Sequence, residues 1–448
     1  MTSQKIGCIV LAAGQSKRFK SSISKIFHDL AGRSVLGHVL HTLEQLPITE
    51  IIIVASPLTP VYSDYKHHKI AIQNEQLGTA HAAMTGMNQL SDDISDVIIL
   101  CGDTPLLTIE TLTKLLASSA DLTLLSATLP DNQRNASYGR IVFNNDRPCR
   151  ITEYKDADEM LRNSPLINSG VYKINQKLLR KLIPLISNAN AASEYYLTDL
   201  VHLAIEHDAT TKAINVDFDE VAGINTREDL EKVDSIIQER LRAVLMMKGV
   251  TFQQPHTTRL SIDTCIGQDT TVEPSVVFKK GVNVENNVKI KSFCYLEDCT
   301  LRSGVSVGPH AHIRGGSVLD EGAEIGNFVE LKATHLGKKA KAKHLTYLGD
   351  TTVGEASNIG AGTITANYDG FLKHKTKIGE RVHIGVDTIL VAPVFIGNDA
   401  MTAAGSVITN DVPTDALAIN RIPQTNKHEW AKHYKTKMKA KKDGLKQG

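Results

Sequence analysis

From Ile266 onward an apolar residue returns at every sixth position, and few folds accept that spacing. Ile266, Val272, Phe278, Val284, Ile290 and Leu296 make the first run. After a slip of one residue the series resumes at Leu301, Val307, Ile313, Leu319, Ile325 and Leu331. Ile378, Ile384, Leu390 and Ile396 take it up again, and Ile408 ends it. Helices repeat every 3.6 residues and strands every two, so neither yields this period. A β-solenoid does, because each hexad forms one flat side and its apolar residue stacks inward on those of neighbouring turns. Gly, Asn and Asp between the apolar positions suit the corners. The stretch ANYDGFLKHKTK, from Ala366 to Lys377, interrupts the series and has to leave the prism as a loop. Insertions of that kind often carry function.

The first half obeys another rule. IGCIVLAA, EIIIVAS and DVIILCGD are short β-rich runs, and segments such as SVLGHVLHTLEQL between them are apolar at helical spacing. Alternating strands and helices predict a Rossmann-like α/β domain, a mostly parallel sheet with helices on both faces, over residues 1–224. Ligands bind beyond the carboxyl ends of such strands, where IVLAAG and IILCGD finish. A helix is expected over 225–249. Thr226 and Asp229 stand at capping-box spacing, Leu230, Val233, Ile237, Leu241 and Val244 form one stripe, and Gly249 ends it. This helix reads as a connector to the solenoid at 250–426. The lysine-rich tail, 427–448, reads as solvated and frayed.

Bulk properties narrow the function. A chain of 448 residues needs more than one core. A net charge of +1 gives no overall drive toward nucleic acid or an anionic membrane. No apolar run approaches the roughly 20 residues of a membrane span. Six cysteines without CxxC spacing read as reduced thiols, and the expected compartment is the cytoplasm.

Candidate chemistry begins at LAAGQSKR, where a turn offers backbone N–H groups, Gly14 permits close approach, and Arg18 and Lys25 supply positive charge for a triphosphate. By itself the loop is equally an ordinary strand–turn–helix. Asp103, in VIILCGDTPLL, follows a buried strand where a metal ion can bridge it to phosphates, although an N-cap aspartate reads the same way. QNEQLGTAHA adds amide side chains and a small turn able to read a nucleobase edge.

LAAG, QNEQLGTAHA, CGDTPL, YGRI, TEYKDA, INSG, EYYLTD and VAGINTR occur in the order seen in sugar-1-phosphate nucleotidyltransferases. With NFVELK, KHLTYLGD, SNIGAGTITANYDG and NRIPQ in the hexad half, nearly the whole chain resembles the bacterial bifunctional glucosamine-1-phosphate N-acetyltransferase / N-acetylglucosamine-1-phosphate uridylyltransferase family. The resemblance implies a left-handed parallel β-helix for the hexads, and a homotrimer with sites between subunits. It also implies two reactions: acetylation of glucosamine 1-phosphate by acetyl-CoA, then uridylyl transfer from UTP to N-acetylglucosamine 1-phosphate. The product is UDP-N-acetylglucosamine for peptidoglycan and lipopolysaccharide precursors, with pyrophosphate released and Mg²⁺ as cofactor.

Carried over position by position, the resemblance puts UTP or UDP-sugar contacts at Leu11, Ala12, Ala13, Gly14, Lys25, Gln73, Gly78, Thr79, Cys101 and Gly102. Asp103 and Asn225 become the Mg²⁺ ligands, and Gly139, Glu153 and Asn168 the sugar pocket. The sugar phosphate is already anionic, so alignment and charge neutralisation by Mg²⁺, Lys25 and Arg18 suffice without a protein base. Acetyl transfer needs a base to take the ammonium proton, and His344 is that base by resemblance. Arg314, Lys332, Tyr347, Asn358 and Lys373 would hold the sugar phosphate. Ala361, Asn367, Tyr368, Val386, Ala404 and Arg421 would meet acetyl-CoA, with the Ala361 amide an oxyanion donor.

The chain departs from the family pattern chiefly in its opening loop. Gly14-Gln15-Ser16-Lys17-Arg18 replaces G-x-G-T-R, and Ser24-Lys25 replaces Pro-Lys. If the second family glycine has positive φ, Ser16 carries a cost of about 1–2 kcal/mol, or the loop rearranges with its hydroxyl as a donor. Cys101 stands for a tyrosine, Ser137 for a glycine, and Val386 for a CoA-contacting serine, which predicts weaker CoA binding. Two alternatives stay open: a nucleotidyltransferase whose solenoid only assembles or regulates, and a non-catalytic assembly subunit.

Overall fold

The computed structural model describes residues 5–57, 65, 67–131 and 137–445. Two compact units emerge: Met1–Val244 with Leu260–Ile262, and Leu245–Arg259 with Asp263–Gly448. The last three residues of the expected tail lie outside the described residues.

The main path of the first unit's sheet is made by β1 (Ile6–Leu11), β2 (Glu50–Ala55), β3 (Lys69–Ile72), β4 (Asp96–Cys101), β5 (Leu122–Thr128), β6 (Leu166–Asn175) and β7 (Thr211–Val216), and a hairpin of Arg140–Asn144 and Arg147–Thr152 joins it at β6. Their order is β7-β5-β6-β4-β1-β2-β3. Only β6 runs antiparallel to its two neighbours on this path; the other pairings are parallel. Strand alternation divides the core between the two faces. Ile9 joins Ile52, Val54 and Ile99 against the helix α2 (Thr79–Met87). Cys8 and Val10 join Ile51, Ile53 and Ile98 against α1 (Val35–Glu44) and α3 (Ile109–Leu116). Each fully buried aliphatic side chain of this kind contributes about 1.5–3 kcal/mol. The chain moves outward from β1 to β2 and β3, then returns to place β4 on the other side of β1, so the topological switch falls between β1 and β4. Leu11 and Cys101 are paired there at the strands' carboxyl ends.

The helix α4 (Arg227–Met247) opens with the anticipated reciprocal cap. The Asp229 N–H donates to Thr226 Oγ1 at 3.1 Å, and the Thr226 N–H donates to Asp229 Oδ2 at 2.8 Å.

The second unit is a left-handed parallel β-helix with three faces, each built of consecutive parallel pairs. Thr271 pairs with Lys289, Lys289 with Ser306, and Ser306 with Glu324, so one turn takes three hexads. All the hexad residues named above are buried, and Leu336, Ala342, Leu348, Val353 and Ile359 continue the inward stack between the two halves of the series. The corners repeat as well. Residues of left-handed conformation recur at Asp269, Ser275, Gly281, Asn287 and Phe293, six apart. On one corner the rings of Phe293, His310 and Phe328 stack, with centroids 4.9 and 5.0 Å apart. The turn from Asn358 to His383 carries the insertion.

The tail differs from the frayed coil expected of it. Trp430–Gly444 is a helix, although none of its residues is buried. Lysine, alanine and methionine are strong helix formers, and Trp430 stacks on Tyr434 one turn later at 5.0 Å. All six cysteines are free. No helix among the described residues is long and apolar enough to cross a membrane.

Candidate active sites

The loops following β1 and β4 open onto a cavity of 470 Å³ at the switch point. Leu11 to Gly14, Lys25, Gln73, Gly78, Thr79, Cys101 and Asp103 line it, which brings together most of the nucleotide residues expected from sequence. Gly14 has nothing within 4 Å of where a Cβ would stand, so the space above its backbone is open to a ligand. Gly78 is constrained by the protein itself: its φ is +120°, and a Cβ would lie 2.5 Å from the Tyr195 carbonyl oxygen. Gln73 is held by Nε2 donation to the Gly78 carbonyl at 3.2 Å.

Lys25 organises the floor. Its ammonium donates to Asp103 Oδ2 and, at 2.9 Å, to Asn225 Oδ1. Asp103 and Asn225 therefore aim their oxygens at one cationic centre. The Ile224 N–H donates to the Asp103 carbonyl at 3.0 Å, and the Asn225 N–H donates to Asp229 Oδ2 at 2.9 Å, which ties Asn225 to the cap of α4. Both ligand atoms are oxygens, one of them anionic, a donor set that suits Mg²⁺.

The opening loop settles the question raised by Ser16. Its φ is 53° and ψ 27°, so serine does occupy the left-handed region. Its hydroxyl accepts from the Lys25 N–H at 3.3 Å and lies 3.4 Å from Ser24 Oγ. The hydroxyl thus braces the turn that carries Lys25. Ser24 has φ −57°, a value proline also adopts. Lys17 lines the cavity, whereas Arg18 is exposed and does not. Gly102 and Asn225 also lie outside the lining. Sequence reasoning passed over Gln15 and Glu194, which do line it, as does Gln76 of the amide-bearing QNEQ stretch. Gln15 Nε2 donates to Gln76 Oε1 at 3.1 Å, joining the β1 loop to the segment after β3. Residues 61 positions apart in the chain offer no local signal of such a contact.

The expected sugar residues form a neighbouring cluster. The Asn168 N–H donates to the Gly139 carbonyl at 2.9 Å, and a Cβ on Gly139 would lie 3.5 Å from Glu153 Oε1. Asn168 Nδ2 donates to Tyr172 Oη at 2.7 Å, while its buried Oδ1 has no partner among the described residues. Burial raises the Glu153 carboxyl above its ordinary value; Thr198 opposes this by donation at 3.2 Å, and Asp156, Asp199 and Glu194 add to it. Burial, then the Asp103 charge, pushes the Cys101 thiol up to about 12, so it lines the cavity as an unreactive neutral group.

In the β-helix, most of the expected acetyl-transfer residues fall on one corner and the face that follows it. Asn327 is paired with His344 across one turn. The Gly362 N–H donates to Leu345 O, that of Asp387 to Ala361 O, and that of Gly405 to Val386 O. His344, Ala361, Val386 and Ala404 therefore recur along one edge. His344 is exposed, and its Nδ1 lies 2.7 Å from Asn327 Oδ1. With the amide oxygen as acceptor, Nδ1 carries the proton and Nε2 keeps a free lone pair. Asn327 sits in the quoted NFVELK motif without having been singled out. One full turn separates it from His344, and only the solenoid period reveals the contact.

On the following face, Arg314 is paired with Lys332 and Lys332 with Gly349. Arg314 Nη2 donates to Glu330 Oε1 at 2.7 Å, and Lys332 Nζ to Asp350 Oδ1 at 2.8 Å. Asp350 also accepts from Asn367 Nδ2 at 2.5 Å. Burial alone would raise Asp350, yet Lys332, Asn367 and the nearby Lys373 charge hold it below its ordinary value. Tyr347 shares this region, since a Cβ on Gly349 would meet both Tyr347 Oη and Asn367 Nδ2. Asn358 lies on the preceding face, paired with Lys341. The insertion is a small hairpin in which Tyr368 bridges Lys373. N–H donation from Leu372, then His374 and the Phe371 N–H, keeps Asp369 far below the usual carboxylate range. Arg421 Nη1 donates to the Ala404 carbonyl at 2.8 Å.

Residues 8–155 match the family model described as the MobA-like NTP transferase domain. The chain is 45% identical to the Bifunctional protein GlmU of Paracoccus denitrificans, over 95% of this chain and 96% of that protein. It is 43% identical to the Bifunctional protein GlmU of Azorhizobium caulinodans, over 96% and 97% of the two chains. Among solved structures, the inositol-1-phosphate CTP transferase of T. maritima aligns with a TM-score of 0.41 at 17% identity, over 53% of this chain and 98% of its own.

Proposed function

The chain belongs to the bifunctional GlmU family, and from that premise we propose how its residues divide two reactions between them. It is an acetyltransferase and a uridylyltransferase of UDP-N-acetylglucosamine synthesis. The observation that carries our assignment of residues is the convergence of Asp103 and Asn225 on the Lys25 ammonium, beside the switch-point cavity that Lys25 and Asp103 line.

For uridylyl transfer, Leu11 to Gly14 present backbone N–H groups to the triphosphate of UTP, and Gln73, Gly78 and Thr79 receive the base. Asp103 and Asn225 would hold Mg²⁺, which supplies charge neutralisation at the phosphates when bound. Lys25 then turns from the carboxylate to the α-phosphate, and Arg18, which points outside the cavity in the free protein, has to swing inward to join it. Glu153, Asn168 and Gly139 position N-acetylglucosamine 1-phosphate so that its phosphate oxygen attacks in line and pyrophosphate leaves. Asn168 Oδ1 is suited to a sugar hydroxyl because it is buried and otherwise unsatisfied.

For acetyl transfer, Arg314, Lys332, Tyr347, Asn358 and Lys373 hold glucosamine 1-phosphate. His344 Nε2 takes a proton from its ammonium, and the amine attacks the thioester carbonyl. The C–S bond breaks, and the CoA sulfur ends protonated as the thiol. Asn327 is a positioning residue that fixes the His344 tautomer. The Ala361 N–H faces the developing oxyanion, and Asn367, Tyr368, Val386, Ala404 and Arg421 hold the CoA. We assign residues 1–224 to uridylyl transfer and 250–426 to acetyl transfer, in a cytoplasmic homotrimer; the support for the trimer is the resemblance of the hexad motifs.

The test supplies glucosamine 1-phosphate, acetyl-CoA, UTP and Mg²⁺, and follows free thiol and pyrophosphate separately. Both products are expected. Pyrophosphate from N-acetylglucosamine 1-phosphate without thiol release would leave a nucleotidyltransferase with a structural solenoid, and neither product would leave an assembly subunit.

A further inference from the structure

Away from the nucleotide cavity, at the start of β3, three metal-ligating side chains meet in the first unit. Glu44 is the last residue of α1, and its Oε1 lies 3.0 Å from His67 Nε2 and 3.1 Å from His68 Nε2. The three ligand atoms all fall within 4.8 Å of one another, and the two rings are 4.0 Å apart, tilted by 48°. They line a separate cavity of 340 Å³ together with Leu43, Ile48, Glu50 and Lys69.

The chemistry of this cluster asks for a cation. A carboxylate at a helix C-terminus faces the negative end of the macrodipole. The nearby ammonium does not relieve it, because Lys69 Nζ is held by Glu50 at 2.5 Å and by the Gln89 carbonyl at 3.2 Å. Glu50 is further occupied by the Ser91 N–H at 2.6 Å. A tetrahedral ion with bonds of about 2.0–2.1 Å sets its ligand atoms roughly 3.3 Å apart. The two contacts to Glu44 Oε1 need widen by only a few tenths of an ångström to meet that spacing.

We infer that Glu44, His67 and His68 form a site for a divalent transition ion of the Zn²⁺ class. The ion replaces the two hydrogen bonds to Glu44, and each imidazole presents its Nε2 lone pair and keeps its proton on Nδ1. Two nitrogens and one oxygen prefer Zn²⁺, Co²⁺ or Ni²⁺ to Mg²⁺, in contrast to the all-oxygen pair of Asp103 and Asn225. The ion fastens the end of α1 to the segment entering β3, whose far end leads into Gln73. It is a structural staple, and its signature is stability rather than rate.

The experiment titrates tag-free, full-length protein with Zn²⁺ in excess Mg²⁺, following heat and the melting temperature, and records the absorption of the Co²⁺ form. One equivalent per chain, a raised melting temperature and Co²⁺ bands of a nitrogen–oxygen site are expected. His67→Ala/His68→Ala should weaken that equivalent at least tenfold and leave pyrophosphate release unchanged. Glu44→Gln, which preserves size and hydrogen bonding, should do the same if the double variant does not fold. An equivalent that survives in these variants, or no binding by the parent protein, overturns the inference.

Discussion

Replacing Asn327 by aspartate puts a carboxylate where an amide oxygen now stands 2.7 Å from His344 Nδ1. The added charge favours the protonated ring. At a separation of about 4 Å in water the attraction is about 1 kcal/mol, and it grows as the surroundings exclude solvent. His344 is exposed, so the value near the aqueous limit applies. One pH unit corresponds to about 1.4 kcal/mol. The acidic limb of the acetyl-transfer profile should therefore move up by about 0.7 pH unit at low salt, and by less at high salt. Asn327→Ala instead removes the anchor of the ring. Losing one such hydrogen bond is worth about 1 kcal/mol, which is about a fivefold fall in rate, with the KM for acetyl-CoA unchanged. Thiol release is measured across pH at two ionic strengths, with pyrophosphate release as the internal control. A limb that stays in place in Asn327→Asp, together with full activity in Asn327→Ala, would show that Asn327 does not orient the base.

Three further outcomes follow from the same geometry. Ser16→Gly removes a left-handed cost of about 1–2 kcal/mol and forfeits one hydrogen bond of about 1 kcal/mol. It should melt near the parent, whereas Ser16→Ala, which keeps the cost and loses the bond, should melt about 2–4 °C lower by calorimetry; equal melting of the two variants refutes the strain. Because burial raises the Glu153 carboxyl, the folded state holds its proton more tightly than the unfolded chain, and stability falls as pH rises from the ordinary carboxylate value through the raised one. Glu153→Gln should flatten that decline in thermal melts and stabilise the free protein at neutral pH. Val386, nearly half exposed on the edge that His344 occupies, lacks a donor, so Val386→Ser should lower the KM for acetyl-CoA by about fivefold for one new hydrogen bond.

How much of this was legible in the sequence depended on whether the physics was periodic or local. The solenoid could be read because every turn repeats one demand, an inward apolar residue six positions on, and each named hexad residue is buried. The cap of α4 was legible because Thr226 and Asp229 lie three residues apart. The strain at Ser16 was visible as a departure from a glycine pattern, but the bond from its hydroxyl to the Lys25 N–H was not, since it depends on how the loop folds back. Lys25 meets Asp103 across 78 positions and Asn225 across 200, a convergence produced by the strand order. Asn327 and Glu194 lay in recognised stretches, yet their side chains reach the sites through the turn register and the loop before Leu197. The tail misled because its charge suggested solvation, which holds, and solvation was equated with the absence of structure, although Trp430–Gly444 is both solvated and helical.

The central claim is that one chain carries two separate sites, and two variants assayed for both products test it most directly. His344→Ala should abolish thiol release and leave pyrophosphate release at the parent rate. Asp103→Ala should abolish pyrophosphate release and leave thiol release intact. Loss of both activities from either variant, in protein with the parent's fold and assembly state, would contradict the account.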